Sequence, residues 1–342
     1  MADSHNSRFK GGLPDYLIRH TTFRQMQIFE AIVRLGSFTR AAEELFLTQP
    51  TVSSQIKKLT NVMGVPLLDQ AGRSTKPTEA GRDLYQAVRD IFDTLSDLDT
   101  RIAGVKGLQR GRLRLAVITT AQYFSPEILG AFCREYPGID VTLKVTNRDN
   151  MIDRIQNNED DLYIFGQLPD KLKHIEAHRF APNPLIVMAS KYHPLCKEAN
   201  VTIEQLANES FIFREVGSGN RDAAMRAFAK HGLVPNVRLE LGSNEAIKHA
   251  VVGGLGLTIS SLHTLTLEGP KGPIVMLDVE GFPIERKWYV VHPKDKELSL
   301  IAKTFLDFTL ESEPVISGRM EKLYNGLVDR QKTIREKALA SA

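Results

Sequence analysis

Polar and cationic side chains recur where an apolar run of the sequence gives way to a helical pattern. Thr119 and Thr120 end one such run, and residues 217–220 (Gly-Ser-Gly-Asn) precede another helical stretch. Backbone amides and hydroxyls at a helix start bind anions, and Arg214 or Arg221 can add charge-assisted hydrogen bonds. The pattern therefore predicts a carboxylate or phosphate site, whereas each residue taken alone fits an ordinary helix cap. The predicted set is Thr119, Thr120, Asn147, Gln167, Arg214, Ser218, Gly219, Asn220, Arg221, Ser243 and Asn244.

A second set of polar side chains lies on one face of a helical pattern nearer the N-terminus. Val52, Ile56 and Leu59 repeat at helical spacing and give this pattern one apolar face. The opposite face and its N-terminal flank carry short hydroxyl, amide and cationic groups, which suit base edges and phosphates in a DNA major groove. An ordinary solvated face has the same spacing, so the pattern alone leaves DNA binding and a plain surface both open.

The sequence offers no catalytic constellation. We find no Gly-x-Ser-x-Gly elbow, no Walker loop and no paired catalytic carboxylates, and Gly-Gly-Leu-Gly at 253–256 is typical of a helix C-cap. His174 and His178 are four residues apart but lack the glutamate of a metalloprotease helix. Cys133 and Cys196 cannot build a disulfide framework and are interpreted as buried or incidental thiols. We therefore expect no enzyme, no cofactor and no metal.

Three short helices must position the N-terminal set of residues. Thr22 and Gln25 form a capping box at the start of the first helix, and Gly36 ends it. A second short helix follows, and the third carries Pro50 in its first turn. This order, with a tight turn before the third helix, predicts a helix-turn-helix. The stretch at 65–77, rich in proline, glycine and charge, can form a β-wing.

One long helical pattern runs from Thr78 to about Gly104. Its apolar residues alternate steps of four and three, which is a heptad seam. No compact segment lies close enough in the sequence to cover this seam, so the pattern favours a coiled coil between two chains over packing on its own domain. The seam consists of Leu84, Val88, Ile91, Leu95, Leu98 and Ile102.

The C-terminal half alternates strand and helix patterns. This alternation predicts an α/β domain with a mostly parallel sheet covered on both faces, and the number of strands favours two similar lobes. A last helix at 298–308 closes the domain, and the tail from Val315 can add a terminal helix. The predicted strands span residues 113–118, 139–145, 161–165, 185–188, 211–213, 237–241, 257–259 and 288–291.

These patterns divide the chain into six segments. They are a flexible tail at 1–21, an all-α winged helix-turn-helix unit at 22–78, a long dimerisation helix at 79–104, a hinge at 105–111, a two-lobed α/β domain at 112–312 and a C-terminal tail at 313–342.

The composition of the 342-residue chain is that of an ordinary globular protein, with 42% hydrophobic and 25% charged residues. A net charge of +3 is too small by itself to indicate nucleic-acid binding. Residues 1–78, however, carry ten cationic and six anionic side chains, a surplus that is compatible with phosphate contacts. The N-terminus resembles no secretory signal and no apolar run approaches a membrane span, so we expect a cytoplasmic protein.

The string at residues 38–59 closely resembles the helix-turn-helix signature of the LysR family of bacterial transcription regulators. Its Ala-Ala, Gln-Pro and Ser stand at the family's spacing, and the segments after it resemble the family's wing and linker helix. Gln70 and Ser54 occupy positions where relatives often carry arginine, which leaves Arg73 and Lys76 to compensate. The resemblance implies double-stranded DNA as a partner and a homodimer or homotetramer. The implied DNA-binding residues are Phe38, Thr39, Arg40, Thr48, Gln49, Pro50, Thr51, Ser53, Ser54, Lys57, Arg73 and Lys76.

The C-terminal half resembles the LysR effector domain, which is itself similar to periplasmic binding proteins with a ligand cleft between two α/β lobes. The segments at 214–221, 240–248 and 277–289 look like those of regulators of carbon-fixation operons. That subgroup implies a small anionic effector, such as a sugar phosphate, phosphoglycolate, 2-oxoglutarate or NADPH. The alternative is a stand-alone solute-binding protein or an enzyme on the same lobes, against which the missing signal peptide and the missing catalytic constellation count.

Overall fold

The computed structural model describes residues 15–71, 74–104, 110–169 and 172–340. The chain divides into two compact units, Met1–Asp99 and Thr100–Ala342. Within the described residues, no helix is long and apolar enough to cross a membrane.

The first unit is built from short helices, a hairpin and most of a long helix. The prediction of a flexible tail at 1–21 is wrong for residues 15–20, which form a helix. Residues 1–14 lie outside the described residues. The elements are α1 (Asp15–His20), α2 (Phe23–Leu35), α3 (Phe38–Glu44), α4 (Gln49–Met63), β1 (Leu68–Ala71), β2 (Ser74–Pro77) and α5 (Glu79–Gly104).

Local capping defines the ends of these helices. The capping box predicted at the start of α2 is confirmed, with the Gln25 amide 3.2 Å from Thr22 Oγ1 and the Thr22 amide 3.0 Å from Gln25 Oε1. Gly36 ends α2 in the left-handed conformation, at a φ of 63°. The Thr48 hydroxyl caps α4, and Pro50 lies in its first turn. The apolar faces of α2, α3 and α4 then meet in one small core.

An antiparallel hairpin of β1 and β2 occupies the stretch in which a β-wing is predicted. The Thr75 amide donates to the Gly36 carbonyl at 3.1 Å, which ties the hairpin to the end of α2. Thr78 Oγ1 donates to the Pro66 carbonyl at 2.7 Å and accepts from the Gly81 amide at 3.0 Å. A Cβ on residue 81 would lie 2.0 Å from the Leu67 carbonyl oxygen, so only glycine permits this close start of α5.

The heptad seam on α5 changes its surroundings along the helix. Leu84 packs at the edge of the core of the first unit. Farther along, Ile91, Leu95 and Leu98 are 36%, 42% and 52% exposed. The side chain of Ile102 lies outside the described residues. The first part of the seam thus packs on its own domain, and three of its later members are exposed.

The second unit alternates strands and helices, as predicted. Its elements are β3 (Gly111–Ile118), α6 (Ser125–Glu135), β4 (Ile139–Thr146), α7 (Arg148–Gln156), β5 (Leu162–Phe165), β6 (Ile175–Pro182), β7 (Leu185–Ser190), α8 (Ile203–Ala207), β8 (Ser210–Arg214), α9 (Gly219–Ala229), β9 (Asn236–Leu241), α10 (Asn244–Val252), β10 (Thr258–Ser261), β11 (Ile274–Met276), β12 (Lys287–Pro293), α11 (Leu300–Glu311) and α12 (Glu313–Ala340).

The strands form two separate cores. The first core surrounds a five-stranded sheet in the order β4-β3-β5-β12-β6, with α6, α7 and α11. The second core surrounds a three-stranded sheet, β10-β7-β11, and the pair β8-β9, with α9 and α10. The chain leaves the first core along β6 and returns to it as β12.

The prediction of a mostly parallel sheet is wrong for the strands at this crossover. β3 is parallel to β4 and β5, and β8 is parallel to β9. β12, however, is antiparallel to β5 and β6, and β7 is antiparallel to both of its neighbours. Two parallel strands of one sheet are joined by a crossover connection, usually a helix that packs on that sheet. β12 has no such connection, because the chain reaches it directly from the second core. The predicted strands also leave out β6, whose stretch is strand-like in sequence, and the three-residue β11.

The terminal helix α12 packs on both cores. Ile316 belongs to the first core, whereas Met320, Leu323 and Leu327 belong to the second. Arg319 pairs with Glu127 of α6 in the first core. The residues predicted as a tail that can add a helix therefore form a 28-residue helix that spans the two cores.

Candidate functional site

The carboxyl ends of three neighbouring parallel strands meet at one edge of the first sheet. Ile118, the last residue of β3, pairs with Thr146, the last residue of β4. Thr119 follows the first strand and Asn147 follows the second, while Gln167 lies two residues after the end of β5. Ligands of open α/β sheets bind outside such an edge.

Residues of the second core face this edge and complete a cleft. Eight of the eleven residues predicted to bind an anion line it, namely Thr119, Thr120, Asn147, Gln167, Arg214, Ser218, Gly219 and Asn220. Ser218 is the N-cap residue of α9, but its side chain makes no capping hydrogen bond. The first backbone amides of α9 therefore face the cleft without an acceptor from the Ser218 side chain. The predicted residues thus lie on both walls of this cleft.

Arg214 joins the two walls but is not a free cation. Its Nη1 donates to Thr119 Oγ1 at 2.9 Å and to Asn244 Oδ1 at 3.1 Å. Its Nε and Nη2 donate to the two carboxylate oxygens of Glu215 at 2.7 and 2.6 Å. The neighbouring glutamate therefore neutralises the charge that the sequence analysis assigned to Arg214.

Arg286 supplies the charge instead, and sequence reasoning missed it. This partly buried guanidinium precedes β12, and it donates to the Gly166 carbonyl at 2.7 Å and to Asn220 Oδ1 at 3.0 Å. It forms no ion pair with a carboxylate among the described residues. Burial, and the positive charges of Arg226 and Arg148, lower the pKa of Arg286 to about 10. A cation whose charged form is disfavoured in this way is a ready partner for an anion.

Two further arginines connect the two cores beside the cleft. Arg148, at the start of α7, donates to Asp222 Oδ2 at 2.9 Å and thereby joins the first core to α9 of the second. Arg226 donates to Gln167 Oε1 at 3.1 Å across the same boundary. Arg148 lines the cleft and was not predicted. Because α9 meets α7 and the end of β5 only in the folded chain, no local pattern marks these arginines.

Three of the predicted anion-binding residues do not line the cleft. Arg221 donates to the Arg214 carbonyl at 2.9 Å and pairs with Glu240. Asn244 lies behind Arg214, to which it offers its carbonyl oxygen. Ser243 caps α10, with its Oγ 3.5 Å from the Ala246 amide. Ser243 is thus an ordinary helix cap in this structure.

The polar face predicted on α4 is exposed. Val52, Ile56 and Leu59 are buried beneath it, as their spacing predicts. Seven of the predicted DNA-binding residues form a continuous exposed set on α4 and its N-cap: Thr48, Gln49, Pro50, Thr51, Ser53, Ser54 and Lys57.

The remaining predicted DNA-binding residues differ in their surroundings. Thr39 and Lys76 are exposed, and Arg40 is exposed but donates to the Leu35 carbonyl. Phe38 is only partly exposed, because it packs against the core of the first unit. Arg73 lies outside the described residues.

Comparison with known proteins explains why these two sites occur in one chain. Residues 23–82 match the bacterial regulatory helix-turn-helix protein, lysR family, and residues 106–313 match the LysR substrate binding domain. The chain belongs to the LysR family. The family assignment predicted from residues 38–59 is confirmed, and this LysR protein is a transcriptional regulator rather than an enzyme.

The relatives of this LysR protein include regulators of carbon metabolism. It is 49% identical over 300 residues to the HTH-type transcriptional activator CmpR of Synechocystis, covering 88% of this chain and 98% of the relative. It is 45% identical to a RuBisCO operon transcriptional regulator of Acidithiobacillus ferrooxidans, covering 85% and 94% of the two chains. The predicted resemblance to carbon-fixation regulators is therefore confirmed.

Solved structures agree with this fold. The regulatory domain of Synechocystis CcmR, in complex with 2-PG, is 50% identical and superposes with a TM-score of 0.57, covering 58% of this chain and 96% of that chain. Full-length CbnR in complex with its target DNA covers 85% of this chain and 100% of that chain, with a TM-score of 0.62. At 21% identity, CbnR supports the fold alone.

Proposed function

We propose that this LysR protein regulates genes of carbon fixation or inorganic-carbon uptake, and that a small phosphorylated acid in the cleft controls it. The observation that carries the proposal is Arg286, a partly buried cation in the cleft without a carboxylate partner among the described residues. The 50% identical CcmR domain, whose structure contains 2-PG, supports 2-phosphoglycolate as the first effector to test. Other sugar phosphates, 2-oxoglutarate and NADPH are the further candidates.

The cleft offers donors from both cores to such an anion. Arg286 provides charge, the amide groups at the start of α9 provide a helix N-terminus, and Thr119 and Thr120 provide hydroxyls. A phosphate carries up to two charges and several acceptor oxygens, which matches this combination better than a neutral ligand does.

The cleft must widen to accept an organic anion. Its cavity volume is about 30 Å³, against roughly 150 Å³ for a cavity that holds benzene. A phosphorylated acid therefore selects a more open arrangement of the two cores, in which the bonds of Arg214 to Thr119 and of Arg148 to Asp222 are rearranged. The effector then acts by shifting the population between two states for which it has different affinities.

We also propose finer roles for the parts of the fold. Residues 22–78 act as a winged helix-turn-helix, with α4 in the major groove and the β1-β2 hairpin as the wing. Residues 79–104 act as the dimerisation helix, 105–111 as the hinge and 112–312 as the effector domain, whose two cores correspond to the lobes of periplasmic binding proteins. The exposed Ile91, Leu95 and Leu98 support a coiled coil between two chains.

Calorimetric titration of the full-length protein tests the effector. We expect 2-phosphoglycolate to bind with one site per chain, and to change the mobility or footprint of the protein on the DNA that flanks its own gene. Ribulose bisphosphate, 2-oxoglutarate and NADPH are titrated in parallel. If none of the four binds while a neutral or aromatic compound does, the proposal of an anionic effector fails even though the regulator still binds DNA.

A further inference from the structure

A cluster of two histidines and a glutamate lies on one face of the first sheet, outside the cleft. Glu176 and His178 are two residues apart on the edge strand β6 and so share a face, and His292 of β12 is the cross-strand partner of Glu176. In the sequence His178 has only His174 as a near companion, in a strand-like stretch that lacks the glutamate of a metalloprotease helix. The actual companion is 114 residues away in sequence.

The spacing of the three side chains matches a metal site. The two Nε2 atoms of His178 and His292 are 3.4 Å apart, and Glu176 Oε1 lies 3.4 Å from His178 Nε2. Glu176 Oε2 lies 3.8 Å from His292 Nε2. In a tetrahedral zinc site, with metal–nitrogen bonds of about 2.0–2.1 Å, neighbouring ligand atoms are about 3.3–3.4 Å apart. One ion can therefore reach all three groups with small side-chain movements.

A backbone hydrogen bond orients the ring of His292 for metal binding. Its Nδ1–H donates a hydrogen bond to the Pro293 carbonyl oxygen at 3.0 Å, so in the neutral ring Nε2 carries the lone pair. Metal-binding histidines commonly make this kind of bond through the other ring nitrogen, because it sets the tautomer and the ring orientation. The His292 side chain is 8% exposed, whereas those of His178 and Glu176 are 28% and 53% exposed, so solvent can supply a fourth ligand.

We propose that Glu176, His178 and His292 bind one divalent transition-metal ion, with zinc as the ion that best fits two imidazoles and one carboxylate. Imidazole and carboxylate ligands suit zinc, and three protein ligands plus a water leave an open site rather than a closed structural one. The ion joins the edge strand β6 to β12. These are the strands along which the chain leaves the first core and returns to it, so the metal stabilises the crossover that holds the two cores together. This proposal departs from the expectation of no metal.

The test uses full-length protein, free of affinity tag and treated with a chelator, titrated with zinc chloride in a non-coordinating buffer. We expect one zinc ion per chain and a higher thermal unfolding midpoint in its presence. Cobalt should give the visible absorption of a four-coordinate ion. His178→Asn and Glu176→Gln, both at accessible positions, should each weaken zinc binding at least about tenfold and remove the thermal shift. His174→Asn is the matched control and should behave as wild type.

Two results would overturn the proposal. One is the absence of stoichiometric zinc binding by the wild-type protein. The other is binding that His178→Asn leaves unchanged, which would place the ion elsewhere in the chain. Because the variants lie outside the cleft, effector binding measured in the same preparations reports separately on the proposed function.

Discussion

Replacing Arg286 by methionine removes the unpaired charge of the cleft while keeping a side chain of similar length. The lowering of the Arg286 pKa to about 10 means that its charged form is disfavoured by roughly 3 kcal/mol relative to water. The variant loses hydrogen bonds from the charged guanidinium to the Gly166 and Gly219 carbonyls and to Asn220, each worth about 1.5–3 kcal/mol. The lost bonds outweigh the relieved charge, so we expect the free energy of unfolding to fall by roughly 2 kcal/mol or more.

Effector affinity should also fall sharply in Arg286→Met. In the variant a bound phosphate or carboxylate lacks a charge-assisted hydrogen bond. It also no longer stabilises the disfavoured positive charge of Arg286. Together these effects reduce the binding free energy by about 3 kcal/mol, which is roughly 100-fold in Kd. Calorimetry with 2-phosphoglycolate measures this loss, and urea unfolding of the same preparation measures stability. Arg286→Lys keeps the charge without the planar fork and should bind with intermediate affinity.

Arg238→Met is the matched control, because Arg238 is an exposed arginine outside the cleft whose Nη1 donates to the Leu255 carbonyl at 3.2 Å. Its effector affinity should equal that of the wild type. A folded Arg286→Met protein that binds 2-phosphoglycolate within about threefold of the wild type would refute the assignment of Arg286 as the partner of the anion.

Four more outcomes are expected. Ser53→Ala should weaken specific DNA binding by ~1–3 kcal/mol and spare salt-dependent nonspecific binding, and unaltered operator affinity in a gel shift would remove this position of α4 from base recognition. Ile91→Asp with Leu95→Asp should dissociate the dimer at low micromolar concentration, whereas an unchanged sedimentation coefficient would mean that the seam does not join two chains. Thr120→Val should weaken the effector and leave DNA affinity without effector normal; lower stability with an unchanged effector response would instead indicate a structural role. Burial lowers the pKa of His263 to about 4, so the neutral ring contributes fully to stability above about pH 6.5, and this contribution is lost as the pH falls toward 4. The wild-type free energy of unfolding should therefore fall by roughly 2 kcal/mol between pH 7 and 5 because of this residue, and His263→Gln should remove that fall. Urea unfolding curves with the same pH dependence in both proteins would contradict this.

Local signals account for what the sequence predicted well. Thr48 and Pro50 mark the start of α4. The helical spacing of the apolar residues Val52, Ile56 and Leu59 shows which face is buried and therefore which face is exposed. Thr119 and Asn147 were identified because a polar residue after an apolar run marks the carboxyl end of a parallel strand. Each of these features depends on neighbours within a few residues, so one sequence is sufficient to find it.

Long-range placement accounts for what was missed. Arg286 stands in a stretch with no strand-to-helix junction, and it becomes a cleft residue only because β12 brings it against the start of α9. The direction of β12 depends on the return of the chain from the second core. The pairing of Glu176 with His292 depends on the register between two strands that are far apart in sequence. No periodicity in either segment encodes such a register.

The terminal helix α12 restricts how the cleft can move. It is held to the first core near Ile316 and Arg319 and to the second core over a longer stretch, where Arg330 donates to the Pro270 and Ile274 carbonyls at 2.7 and 3.1 Å. Because α12 packs on both cores, a change in the angle between them must also shift this helix against one of them. Any widening of the cleft therefore has to disrupt contacts of α12 as well as the hydrogen bonds that cross the cleft, and these contacts add to the free energy that widening costs.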